Sequence, residues 1–198
     1  MKRIIFSALV LMGIMGLQAQ TIEQPKSNFQ RSQLLIAPFY FFDATFMMSY
    51  EHPIARSGAL RITPSITLSN DDYDNREGFG IDLGYKAFLL GKSRVINVYV
   101  GPYAYYKHIK SIERSAYYYD SYYDYRYEYI TTYHNIVALG VDTGVKCIFG
   151  RFVIDFTFGG GIRYPIDAKN IYDDYVDIYS YNYKGIAPRA NLMFGITL

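Results

Sequence analysis

Residues 78–90 read GFGIDLGYKAFLL, and apolar side chains alternate there with small or charged ones along the stretch. Phe79 and Ile81 belong to the apolar set, whereas Asp82 and Lys86 belong to the other. A period of two indicates a β-strand with one apolar face and one polar face. The same division recurs in residues 60–69, 151–163 and 189–198. We therefore predict an all-β protein, although alternation alone fits a soluble sandwich as well as a membrane barrel.

The connections between the alternating segments favour the barrel. Short connections are predicted at residues 54–59, 91–94 and 150, and long polar ones at residues 70–77, 109–132 and 165–185. Short turns at one end and long loops at the other are typical of outer-membrane barrels, as are aromatic rings at both lipid–water interfaces. The aromatic residues near the predicted strand ends are Tyr50, Phe79, Tyr106, Phe149, Phe152 and Tyr164.

The strand count follows from the same segments. Six strands are predicted near residues 59–69, 78–90, 95–108, 133–149, 151–164 and 186–198. The remaining apolar stretch, residues 33–53, is too long for one crossing of about 9 to 11 residues. Splitting it at Phe42, Asp43 and Ala44 gives two strands joined by a tight outer turn, and hence eight strands with both termini on the periplasmic side. The alternative is a ten-stranded barrel that draws two more strands from residues 115–133.

The N-terminal residues predict export. Lys2 and Arg3 precede an apolar run from Ile4 to Leu17, and Ala19 is a small residue at the cleavage position of a secretory signal. A membrane anchor is the alternative, but this run is shorter than the ~20 residues that a helix needs to span a bilayer. We predict a signal peptide at residues 1–19, a flexible periplasmic segment at 20–32 and the barrel at 33–198. The single cysteine provides neither a disulfide nor a lipid attachment site after the apolar run.

Charge and motif content narrow the function classes. Lys and Arg number 20 against 18 Asp and Glu, so removal of Lys2 and Arg3 leaves the mature chain formally neutral. Nucleic acid is therefore not an expected partner, and no motif suggests a cofactor. The histidines, His52, His108 and His134, have no serine or carboxylate at a recognisable catalytic spacing. We expect no enzyme, with a hydrolase similar to lipid-modifying outer-membrane barrels as the remaining alternative.

The signal peptide, eight amphipathic strands, short inner turns and long outer loops resemble the small Gram-negative outer-membrane barrels typified by the OmpA transmembrane domain, OmpX and OmpW. The resemblance covers residues 33–198 and is architectural, because no binding or catalytic motif accompanies it. The chain closes on Leu198, where that group usually ends in an aromatic residue. The resemblance implies an outer-membrane location and contact with outer-membrane lipid and lipopolysaccharide. We also expect a monomer.

Charged residues on the polar face of the predicted strands should point into the barrel. An eight-stranded barrel has an interior that side chains fill, and opposite charges buried there need partners. We interpret the set as a lumen plugged by ion pairs, with a narrow polar channel as the alternative. The inward candidates are four acids and five bases: Glu51, Asp82, Asp142 and Asp155, with Arg61, Lys86, Lys146, Arg163 and Arg189.

A tyrosine-rich segment, SAYYYDSYYDYRYEYITTY at residues 115–133, is predicted to form an outer loop. Tyrosine offers large, rigid contact area with a hydrogen-bonding tip, so we predict surface loops that bind an extracellular protein or glycan, as in adhesion. The alternatives are that these tyrosines only extend the barrel strands and pack on one another, and that the barrel is structural or a narrow solute pore. The candidate contact residues are Tyr117, Tyr118, Tyr119, Tyr122, Tyr123, Tyr125, Tyr127 and Tyr129, with Tyr172, Tyr175, Tyr179, Tyr181 and Tyr183 from the last loop.

Overall fold

The computed structural model describes residues 31–55, 57–70, 74–90, 95–119, 124–166 and 181–198. Side chains are described in these ranges except at 41–43, 70, 74, 113–119 and 124–128. The predicted signal peptide and nearly all of the predicted periplasmic segment lie outside the described residues.

The chain forms a closed barrel of eight antiparallel strands. Each strand pairs with its neighbour in sequence, and the first pairs with the last, as Gln33 opposite Thr197 shows. The predicted count of eight is confirmed, and the ten-stranded alternative is wrong. The elements are β1 (Gln33–Ile36), a 3-10 helix (Pro38–Asp43), β2 (Thr45–Ala55), β3 (Gly58–Asn70), β4 (Asp74–Phe88), β5 (Ile96–Tyr119), β6 (Asp124–Phe149), β7 (Phe152–Pro165) and β8 (Gly185–Thr197).

The two ends of the barrel differ. The β2–β3, β4–β5 and β6–β7 connections lie at one end, called here the short-turn end. The tightest of them joins Phe149 to Phe152, which face each other in the ladder, and Gly150 adopts a φ of 62° there. Glycine tolerates this left-handed conformation because it has no Cβ. The opposite end, the long-strand end, holds the 3-10 helix, the β5–β6 hairpin and the β7–β8 connection.

Two of the predicted loops are largely strand. β3 continues to Asn70 and β4 begins at Asp74, so the connection predicted at residues 70–77 is only residues 71–73. The loop predicted at 109–132 is wrong in the same way, because β5 runs to Tyr119 and β6 begins at Asp124. Polar composition suggested loops, but alternating tyrosine and β-branched residues favour strands whether or not lipid surrounds them.

The β5–β6 hairpin extends beyond the end of the neighbouring strand β4. β4 pairs with β5 only as far as Asp74 opposite Glu113, whereas β5 and β6 stay paired as far as Tyr119 opposite Asp124. We call residues 114–119 and 124–129 the outer ribbon. Its backbone is a two-stranded extension beyond the last β4 partner at the long-strand end.

The start of the barrel also departs from the predicted strand, tight turn and strand. β1 has four residues, and the 3-10 helix Pro38–Asp43 takes the place of the expected turn at residues 42–44. Proline begins this helix because its ring fixes φ near the helical value and the first helical turn needs no amide donor there. Ala44, with a φ of 47°, returns the chain to β2. Tyr40 consequently packs against the cluster of buried apolar residues that includes Leu35 and Ala37.

The polarity of the fold is reversed relative to a water-soluble protein. Among the described residues, nineteen buried side chains are polar or charged and eleven are hydrophobic, so polar groups dominate the interior. The outside carries exposed apolar residues on every long strand, among them Phe46, Ile62, Ile66, Phe79, Leu83, Val100, Leu139, Val141, Phe156, Phe158, Ile162 and Ile196. No helix in the described ranges is both long and apolar enough to cross a bilayer.

Candidate functional site

Four charged residues form a closed set of ion pairs in the half of the lumen nearer the short-turn end. We call Glu51, Lys86, Lys146 and Asp155 the lysine ring. Lys86 Nζ lies 2.8 Å from Glu51 and also contacts Asp155, while Lys146 Nζ contacts Glu51 and lies 3.4 Å from Asp155. Each lysine thus touches both acids. All four side chains are at most 2% exposed, and their formal charges cancel.

Neighbouring polar groups complete the lysine ring. Tyr99 Oη donates to Asp155 over 2.7 Å and lies 2.5 Å from the Thr157 hydroxyl, while Lys146 donates to Gln33 Oε1 over 2.9 Å. The Tyr99 ring also lies 4.4 Å from Lys86 Nζ. Buried charges are tolerated when they are paired and hydrogen-bonded. All four residues of the lysine ring are paired and each makes at least one hydrogen bond, while Glu51 Oε2 has only its ion pair with Lys86.

Apolar side chains lie between the lysine ring and the short-turn end. Ile148 and Val153 are the next inward positions after Lys146 and before Asp155, and both are buried. The Phe88 ring packs edge-on against Tyr99 at 6.0 Å and belongs to the same apolar cluster. Water has little access to the lysine ring from this side.

A second set of ion pairs lies toward the long-strand end. We call Arg61, Asp82, Asp142 and Arg189 the arginine ring. Arg61 lies 3.1 Å from Asp82 and 2.9 Å from Asp142, and Arg189 lies 2.7 Å from Asp82 and 3.4 Å from Asp142. The Arg189 guanidinium is 4.1 Å above the Tyr103 ring, a cation–π distance. This ring is also neutral, but the Arg189 side chain is 14% exposed.

Strand pairing accounts for only one of the eight ion-pair contacts in the two rings, the contact between the ladder partners Lys146 and Asp155. Glu51 and Arg61 are opposite each other in the β2–β3 ladder, yet Glu51 reaches the lysine ring and Arg61 reaches the arginine ring. Glycines leave room for the arginine ring, since a Cβ on Gly84 would lie 3.1 Å from an Arg61 nitrogen. Gly140 and Gly161 pair directly, and a Cβ on either would lie 2.7 Å from the Tyr103 ring or its hydroxyl.

A cavity of about 340 Å³ lies between the arginine ring and the long-strand end. The ninth predicted lumen charge, Arg163, lines it, and so do Arg189, Tyr105 and Lys107. Arg163 is opposite Ala138 and Gly185 in the ladder and is 9% exposed. All nine predicted inward charges are therefore placed inside the barrel, eight of them in the two rings.

Tyr181 lines this cavity and contacts residues of several strands. Its hydroxyl accepts a hydrogen bond from Arg76 on β4 over 3.0 Å, and its ring centroid lies 5.9 Å from Lys107 Nζ on β5. The His134 ring on β6 is 5.3 Å from the same tyrosine ring, and His134 Nδ1 is 3.2 Å from Asn182 Oδ1. The segment that precedes β8 is thereby tied to three other strands.

The predicted tyrosine contact residues fall into three groups. Tyr117, Tyr118, Tyr119, Tyr125 and Tyr127 belong to the strand backbone of the outer ribbon, where Tyr129 is 67% exposed. Tyr181 lines the cavity, and Tyr183 donates to the carbonyl of Ile186 over 3.1 Å. The remaining candidates, Tyr122, Tyr123, Tyr172, Tyr175 and Tyr179, lie outside the described residues.

The two histidines near the long-strand end face different surroundings. His134 is opposite Ile109 and buried inside, whereas His108 is opposite Asn135 and stacks on Tyr133 on the outside. Adjacent ladder positions point to opposite faces of a sheet. The pair does not form a shared site, and no group of three possible metal ligands occurs in the part of the chain that the structure describes.

Comparison with known proteins finds a similar fold among solved structures but no related sequence. No family model matches the chain, and no curated protein matches it. Among solved structures, the N-terminal β-barrel domain of Pseudomonas aeruginosa OprF aligns with 13% identity over 85% of this chain and 98% of that domain, at a TM-score of 0.45. The strand order independently confirms the architecture that the resemblance implied, a closed eight-stranded up-and-down barrel.

Proposed function

We propose that the protein is an integral outer-membrane barrel that crosses the lipid with its strands. The observation that carries this proposal is the reversed polarity, with charged residues such as Lys146 and Asp155 fully buried and residues such as Leu139 and Phe158 exposed. In water this arrangement would expose apolar surface and bury charge, both at a cost in free energy. In a bilayer, lipid covers the apolar outer face, so the cost of exposing this surface to water does not arise.

The height of the apolar outer face supports a bilayer crossing. Outward positions on β7 run from Phe152 to Tyr164 and include no charged residue. At ~3.3 Å per residue this stretch is about 40 Å long, and a tilt of about 40° reduces its height to roughly 30 Å. The hydrocarbon core of a bilayer is about 30 Å thick. Aromatic residues at both limits of the stretch fit the two interfaces.

The lumen supports a structural role better than free passage of solutes. Glu51 on β2 contacts Lys146 on β6, and Asp82 on β4 contacts Arg189 on β8. Each of these pairs joins strands on opposite sides of an eight-stranded barrel, so the ion pairs cross the lumen. We expect no steady conductance from the purified protein in planar bilayers. Steady conductance by the unmodified protein would contradict the structural role and favour the alternative function, a narrow solute pore.

We further propose that the outer ribbon binds an extracellular protein or glycan. Support comes from its backbone, which is a paired extension beyond the last β4 partner, and from its sequence, which is rich in tyrosine. Tyrosines on a rigid frame lose little entropy on binding and are common in contact surfaces. A partner outside the cell would meet this ribbon before it meets the barrel.

Two lysine substitutions test the membrane assignment. Leu83 lies in the middle of the apolar face and Leu68 near its edge at the long-strand end, and both are exposed. In lipid, Leu83→Lys should lower the free energy of unfolding by about 2–4 kcal/mol and Leu68→Lys by about 0–1 kcal/mol. Urea unfolding in lipid vesicles measures both. The membrane assignment would be contradicted if both lysine variants lost the same small amount of unfolding free energy. Release of the unmodified protein from membranes by alkali would also contradict it.

A ribbon deletion tests the binding role separately. Joining Arg114 to Tyr129 through an Asn-Gly turn removes most of the outer ribbon but keeps the barrel ladder below it. The shortened protein should still shift in gel mobility on heating, as a folded barrel does, but should lose binding to glycan arrays and matrix proteins. If it binds these probes as the unmodified protein does, the ribbon is not the contact surface.

A further inference from the structure

We propose that the cavity between the arginine ring and Tyr181 binds a small organic anion, a carboxylate or a phosphate ester, with Arg163 as its main ligand. This site goes beyond the proposed membrane and display roles, and it uses no residue of the outer ribbon. Its lining residues come from the 3-10 helix, from the strands β2 to β8 and from the segment before β8.

The state of Arg163 points to an anion. Its side chain is one of the five predicted inward bases, and the other four are all held in the two neutral rings. Arg163 Nε is buried and has no hydrogen-bond partner among the described residues, and no ion pair between described residues includes this guanidinium. A buried cation without a partner is unfavourable, and an anion in the cavity would neutralise it.

The surrounding charge favours the same ligand. The only acid on the described cavity wall is Asp82, and both of its carboxylate oxygens are already engaged by Arg61 and Arg189. Lys107 is a further cation on the wall. Arg189 is balanced within the neutral arginine ring, so Arg163 has no acid beside it on the described lining, and a cation in a confined space attracts anions.

The size and shape of the cavity restrict the ligand to a small molecule. About 340 Å³ is near the lower limit of the roughly 300–1,000 Å³ that is usual for ligand pockets. Tyr40, Tyr105 and Tyr181 contribute flat rings and hydroxyls to the walls. The planar guanidinium of Arg163 matches the two oxygens of a carboxylate or phosphate. A compact molecule with one acidic group would fit a cavity of this size, with these tyrosine walls and the Arg163 guanidinium.

Calorimetry with three matched probes tests the proposal on the purified full-length barrel in detergent. Glucuronate supplies a carboxylate, glucose 6-phosphate supplies a phosphate, and glucose is the neutral control. We expect one or both anions to bind and glucose not to bind. The stronger of the two anions identifies the preferred acidic group. Arg163→Gln should weaken binding at least tenfold, and Arg163→Lys should weaken it less because the charge remains. The matched control is Arg151→Gln, at the exposed short-turn end, which should leave binding unchanged.

A second measurement keeps the test independent of folding. The Nε–H resonance of Arg163, assigned by comparison with the Arg163→Lys spectrum, should shift when the anion is added and stay fixed when glucose is added. Heat-dependent gel mobility shows whether each variant is folded. The proposal is overturned if neither anion binds the unmodified protein, if Arg163→Gln binds as well as the parent, or if the Arg163 resonance does not respond.

Discussion

The lysine ring and the arginine ring hold the same charges in different surroundings. Each contains two bases and two acids, and each base contacts both acids of its ring. The lysine ring lies between apolar residues and the arginine ring, and its side chains are at most 2% exposed. The arginine ring borders a cavity, and Arg189 is 14% exposed. Equal charge counts therefore have different consequences: one ring stabilises the barrel, while the other forms the base of a space that a ligand can enter.

The largest expected effect comes from breaking the lysine ring. Lys146→Met leaves Glu51 and Asp155 with Lys86 as their single cation in a space that water does not reach. The free energy of unfolding should fall by about 3–5 kcal/mol, as is usual when one partner of a buried pair is removed. Urea unfolding in lipid vesicles measures the change. The control is Val145→Met, at the neighbouring outward position, which should change the free energy of unfolding little. A similar loss of unfolding free energy in both variants would show that the lysine ring does not contribute specially to stability.

Breaking the arginine ring should cost less. Asp82→Asn removes a charge that Arg61 and Arg189 share, but Asp142 still contacts both arginines and the cavity admits water to Arg189. We expect a loss of about 2–3 kcal/mol in the same unfolding measurement. A loss equal to or greater than that of Lys146→Met would mean that exposure to the cavity does not distinguish the two rings.

A smaller effect is expected from the hydrogen bonds around the lysine ring. Tyr99→Phe keeps the buried ring but removes the hydroxyl that donates to Asp155. Hydrogen bonds to charged groups contribute about 1.5–3 kcal/mol, so we expect a loss of about 1.5 kcal/mol. Tyr129→Phe, on the exposed outer ribbon, should stay within about 0.5 kcal/mol of the parent. The importance of the Tyr99 hydroxyl is refuted if the two substitutions have the same effect.

The smallest net change is expected when a whole pair is replaced. Glu51→Gln combined with Lys146→Met leaves the neutral pair of Lys86 and Asp155. Replacing a buried ion pair with uncharged side chains is often close to neutral, so stability should stay within about 1 kcal/mol of the parent. With Glu51→Gln measured alone, the double-mutant cycle then gives a coupling energy of several kcal/mol. If the double variant loses as much as the sum of the single ones, the two residues act independently.

Strand-level features were accessible from the sequence because they are local. Alternation with a period of two identified the segments and separated an apolar face from a polar one, and the parity of the strand count follows from counting these segments. The prediction failed where it relied on amino-acid composition instead of on the period of the apolar residues. The tyrosine-rich stretch looked like a loop because it is polar, yet its backbone is paired strand as far as Tyr119. The 3-10 helix at Pro38–Asp43 was missed because an apolar run of this length is equally consistent with a strand.

By itself, then, the sequence determined the strand period, the number of strands and the face on which each charged residue lies, since these depend on a residue and its near neighbours. Only the tertiary structure decided which charges meet. Glu51 passes over its ladder partner Arg61 to contact Lys146, 95 positions away, and Asp82 meets Arg189, 107 positions away. Closing the barrel brings opposite strands within reach across the lumen, and this closure also leaves Arg163 beside a cavity instead of beside an acid.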